Sequence, residues 1–89
     1  MIREATPDEM STLGIATCEG PTVAWITVDD TGKIVGQVAL TRMSSGGMMA
    51  HSHRWHGPGG EMGEAKLLMR VKRWMKNHGE TYLTIPEEA

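Results

Sequence analysis

"GPGGEMGEAKLLMRVKRWMKNHGETYLTI", residues 57–85, runs a glycine-rich turn into a long helical pattern and then into a short apolar segment. Leu67, Leu68, Val71, Trp74, Met75 and His78 recur at the spacing of one apolar helix face, with Lys66, Arg70, Lys72, Arg73 and Lys76 outward or flanking. Gly79 ends the helix as its left-handed C′ residue, and "TYLTI" (81–85) reads as a strand. Upstream, in "TRMSSGGMMAHSHRWH", Ser44 to Gly47 reads as a turn and 48–56 as a long strand. Simple alternation along it puts Met49, His51, His53 and Trp55 on one face and Met48, Ala50, Ser52 and Arg54 on the other. A strand, a crossover helix and a second strand form a right-handed unit with the two strands parallel. The strands on either side of the helix are therefore expected to be parallel neighbours in a mixed sheet.

Further toward the N-terminus, "TVAWITV" (22–28) and "KIVGQVAL" (33–40) are β-branched runs joined by "DDTG", where Gly32 supplies the positive φ of a tight hairpin. Gly36 inside the second run indicates a bulge or a close backbone approach. "TPDEM" has Thr6 as cap, Pro7 at the first helical position and Glu9 completing a capping box, so a helix is expected from Pro7 to Thr17, closed by "CEGP". Met1 and Ile2 leave room for a short first strand. The expected fold is α+β, with one domain over residues 1–89 and the order β-α-β-β-β-α-β.

Nine basic against eleven acidic residues give a net charge of −2, which offers no global field for nucleic acid or anionic lipid. Cys18 is the single cysteine, so no disulfide closes within the chain, and a reducing compartment fits. No stretch of about 18 apolar residues occurs, and the charged start lacks a signal peptide's apolar run. A soluble cytoplasmic protein with no nucleic-acid or membrane partner is the expectation.

His51, His53 and His56 are spaced H-x-H-x-x-H, and imidazoles two apart on a strand share a face, as a zinc site requires. The spacing resembles the H-x-H-x-D-H run of the metallo-β-lactamase fold, with Trp55 standing where the aspartate would be. No acidic residue lies close by to finish the set, and no metal is expected.

In the order of its elements, the chain resembles the GNAT N-acetyltransferase superfamily. "MIREATPDEM" looks like that family's first strand and helix, "TVAWITVDDTGKIVGQVAL" like its second and third strands, and "ETYLTIP" like its fifth. The family's acyl-CoA turn, Q/R-x-x-G-x-G/A, is matched by Gly60, Gly63 and Ala65, with glycine in place of Gln or Arg. A second register, from Arg54 through Gly57 to Gly59, also fits, but it leaves several residues before the helical pattern; the Gly63 register is preferred. The resemblance implies acetyl-CoA or another acyl-CoA as co-substrate, held by Trp55, Gly60, Met62, Gly63, Glu64, Ala65 and Lys66. It further implies His53 or His51 as the base that deprotonates an acceptor amine.

Glu61 and Glu64 depart from the pattern by placing carboxylates beside the anion site. The family's later helix and strands, with their acidic tyrosine, are not matched before Ala89, and Tyr82 does not correspond to that tyrosine. A homodimer or a protein partner completing the sheet is therefore expected, with a non-catalytic interaction module as the alternative. Short chains of this family occur in bacterial viruses, so the resemblance also implies a phage origin.

Overall fold

The computed structural model describes residues 1–15 and 22–85. Its elements are β1 (Ile2–Glu4), α1 (Pro7–Thr12), β2 (Thr22–Val28), β3 (Ile34–Arg42), β4 (Met48–Trp55), α2 (Gly60–Asn77) and β5 (Leu83–Thr84). The five strands form one sheet in sequence order. The first three pairings are antiparallel and β4 pairs with β5 in parallel, so the fold is α+β with a mixed sheet. The crossover helix enforces the parallel pair, as its position between two strands predicts.

α2 covers one face. Gly63, Leu67, Val71 and Met75 are its buried residues, one every fourth position, and the last three meet Trp25, Val38, Leu40, Met48 and Ala50 of the sheet. Burying a side chain such as Leu67 contributes about 1.5–3 kcal/mol. Leu68 and Trp74 are half-buried, and His78 is exposed. His78 leaves the expected apolar stripe because it lies in the cap, where its ring stacks on Trp74 at 3.9 Å. Gly79, at φ 70, closes the helix, and the Glu80 amide donates back to the Met75 carbonyl at 2.9 Å.

On the opposite face Ala5, Ile15, Ala24, Ile26 and Ala39 form a second core with Met10 of α1 and Leu13 at its C-cap. The Thr6–Glu9 capping box is present in both directions. α1 stops at Thr12, short of the expected Thr17, because Gly14 takes φ 70 and the Ile15 amide turns back to the Met10 carbonyl. Thr17, "CEGP" and the tail "PEEA" lie outside the described residues. Among the described residues no helix is long and apolar enough to cross a membrane.

Candidate functional site

Simple alternation fails in β4. Between the pairs Gln37–Arg54 and Ala39–His51, β3 supplies only Val38 where β4 supplies both Ser52 and His53. The extra residue makes a bulge, and Ser52 sits in it at φ 55. Buried Gln37 braces the bulge by donating from Nε2 to the Ser52 carbonyl at 3.2 Å. Beyond the extra residue the faces exchange, so Trp55 packs with Met48 and Ala50 on the α2 side. His51 instead bonds Thr41 on the other side. The expected shared face of Met49, His51, His53 and Trp55 is broken for this reason.

Among the described residues β5 pairs only with Met48 and Met49. Past that point a cleft of about 260 Å³ opens between β4, α2 and the end of β5, lined by Ala50, His51, Ser52, His53, Glu64, Leu68 and Ile85. His53 and His51 both border it, with different surroundings. The Nε2 atom of His53 is buried and has no hydrogen-bond partner among the described residues. His51 is held at both ring nitrogens, by Thr41 Oγ1 at 2.8 Å and by Ser52 Oγ at 3.1 Å. Burial pushes its pKa below the ordinary 6.5 by disfavouring the imidazolium. His56 is exposed, its backbone amide donating to the Val35 carbonyl at 2.7 Å. Among the described residues no three His, Cys, Asp or Glu side chains gather to hold a metal ion.

The glycine turn reaches the helix sooner than its pattern suggested. Gly59, at φ 72, is the N-cap, with no side-chain cap bond, and α2 starts at Gly60. The Gly63 amide makes the first helical bond, to the Gly59 carbonyl at 2.9 Å. The amides of Gly60, Glu61 and Met62 are left at the open helix end, where the macrodipole favours an anion. In the preferred register Gly63 and Ala65 fall inside the helix. The register from Arg54 through Gly57 to Gly59 brings its glycines directly to the open end, since the residues after Gly59 are the helix's first turn.

Gly63 has a packing reason of its own. A Cβ there would lie 2.4 Å from the Trp55 ring, and one on Gly36 would lie 2.3 Å from the same ring, so the indole is wedged between two glycines. Trp55 Nε1 also donates to the Pro58 carbonyl at 3.1 Å, tying the wedge to the turn.

A second cleft, of about 500 Å³, lies on the other flank of α2, with Ile2, Thr27, Trp55, Met62, Lys66 and Arg70 in its wall. Gly63 borders this second cleft too, so α2 divides the expected cofactor residues: Glu64 faces the β4–β5 cleft, while Trp55, Met62, Gly63 and Lys66 face the other. Gly60 opens the helix and Ala65 is exposed. Sequence reasoning gave no site role to Ser52, Ala50, Leu68 or Ile85. Nothing in their local pattern marks them, because the bulge and the departure of β5 that bring them together are long-range properties.

The protein-family models, the curated proteins and the solved structures give no match to this chain. The functional reading therefore rests on the geometry of the β4 bulge, the cleft and the open helix end.

Proposed function

We propose that the chain is a GNAT-type domain that binds an acyl-CoA, acetyl-CoA foremost, and presents its acyl group to an amine. The observation that carries this reading is the coincidence of the β4 bulge with the point where β5 leaves β4. Together they open a cleft bordered by His53, beside a helix whose first amides have no side-chain cap. A narrow acyl arm fits the cleft, and a pyrophosphate fits the amides of Gly60, Glu61 and Met62. Small residues at Gly57, Gly59 and Gly60 allow close approach. The bound substrate supplies an activated thioester. The protein positions it, His53 at the cleft wall or a water takes the amine proton, and β4 backbone at the bulge offers a dipole to the developing oxyanion. A cytoplasmic location belongs to the same reading, since acyl-CoA and a lone cysteine both fit a reducing compartment.

Calorimetric titration with acetyl-CoA, against desulfo-CoA and ATP, tests the proposal. Saturable binding of acetyl-CoA, tighter than ATP, is expected; absence of binding up to millimolar ligand would overturn it. A second reading is a non-catalytic module that docks a second copy or another protein on the β5 edge. Edge position and the exposure of Tyr82 and Ile85 beside it favour that reading. A strictly monomeric mass by light scattering at micromolar concentration would remove the dimer.

A further inference from the structure

Ser52, His51 and Thr41 form a hydrogen-bonded line across β4 and β3 at the mouth of the β4–β5 cleft. Ser52 Oγ lies 3.1 Å from His51 Nδ1, and His51 Nε2 lies 2.8 Å from Thr41 Oγ1. Thr41, itself buried, is 2.8 Å from Thr22 Oγ1. With the imidazole proton on Nε2, every hydroxyl donates in one direction: Ser52 to Nδ1, Nε2–H to Thr41, and Thr41 to Thr22. That tautomer leaves a basic nitrogen on the Ser52 hydroxyl and a third group orienting the base, the arrangement that activates a serine. Ser52 also carries the only positive φ of any non-glycine among the described residues, a strained position in the half-buried β4 bulge at the cleft wall.

We infer that Ser52 is a nucleophile that accepts the acyl group, with His51 as its base and Thr41 as the positioning residue. The inference rests on the proposed acyl-binding role of the same cleft. In the first step the Ser52 Oγ–carbon bond forms and the carbon–sulfur bond of the thioester breaks. The hydroxyl proton passes to His51 Nδ1 and from there to the leaving thiolate, giving a free thiol and an acyl-serine. In the second step an amine or water attacks the ester carbonyl, His51 takes its proton and returns it to Ser52 Oγ, and an amide or a carboxylic acid leaves. No oxidant, reductant or further reactant is needed. Burial keeps His51 neutral and able to accept the proton. Transfer thus runs through a covalent intermediate, with His51 rather than His53 taking the proton of the incoming amine.

The test uses two acyl donors on the intact chain, p-nitrophenyl acetate and acetyl-CoA, with the acetylated residue located by peptide mass mapping. The small ester does not depend on the helix end. The expected result is a burst of one p-nitrophenolate per chain and acetyl on Ser52. Ser52→Gly, which takes φ 55 without strain, should fold and show no burst. His51→Gln should slow acylation by about a hundredfold or more. Thr41→Val should slow it and displace the pH profile, and Thr41→Ser should restore both. Acetyl found only on lysines, histidines or the Met1 amine, or an undiminished burst in Ser52→Gly, would overturn the inference. Acylation of Ser52 by the ester but not by acetyl-CoA would sustain the nucleophile and overturn the acyl-CoA reading. Saturable acetyl-CoA binding with no acetyl on Ser52 from either donor would overturn the nucleophile alone.

Discussion

Gly63 serves Trp55. Its hydrogen is all that fits against the indole, so Gly63→Ala is expected to destabilise the fold by about 1–3 kcal/mol through overpacking. The affinity of the remaining folded protein for acetyl-CoA should stay unchanged. Chemical denaturation paired with calorimetry separates the two quantities, and a selective loss of affinity would return Gly63 to the binding site. Glu64, in the cleft wall, opposes an anionic substrate. Glu64→Gln should tighten acetyl-CoA binding by a few-fold, most clearly at low salt. Glycines were visible in the sequence as positions of close approach, but their partner was not. Gly36 and Gly63 are 27 residues apart and the ring between them comes from a third element.

α2 begins at a cap that only its backbone completes, which gives a discriminating substitution at Gly60. The nearest heavy atom to a Cβ there is Trp55 Cδ1 at 3.5 Å, ordinary contact, so a side chain is tolerated. Gly60→Asp should stabilise the helix end by about 0.3–1 kcal/mol through the macrodipole. The same carboxylate should occupy the amides and abolish acetyl-CoA binding. Thermal unfolding and titration of this one variant check both signs, and retained affinity would place the phosphates elsewhere. Elements with strong local signals were legible: the hairpin, the capping box of α1 and the stripe of α2 each follow from residues a few positions apart. α1 ends sooner than the expected Thr17 because Gly14 terminates it in the left-handed conformation, which the capping and apolar pattern of the sequence does not mark. The β4 bulge was not legible, since an extra residue in one strand is defined only by the register of its neighbour.

Across the whole molecule, the order of elements and the parallel β4–β5 pair followed from the crossover helix. The cleft did not, because it depends on how soon β5 parts from β4. The N-terminal strand is tied to α1 by Arg3 and Glu9, which bond at 2.8 and 2.7 Å. Hydrogen bonds from the Arg3 side chain and then from the Thr6 backbone lower the Glu9 pKa from 4.5 to about 2. A depressed carboxylate pKa stabilises the fold above the unfolded value and loses that contribution as pH falls from 4.5 toward 2. Wild type should therefore exceed Glu9→Gln in melting temperature near neutral pH, with the gap closing toward pH 2; a gap independent of pH would contradict this. The most direct test of the proposed acyl site is a backbone amide NMR titration with acetyl-CoA. Shifts are expected to concentrate at Ala50–His53 and Ile85 in the β4–β5 cleft and at Gly59–Met62 of the open helix end. Shifts confined to Ile2, Thr27, Lys66 and Arg70 would move the ligand to the opposite flank and contradict the proposal.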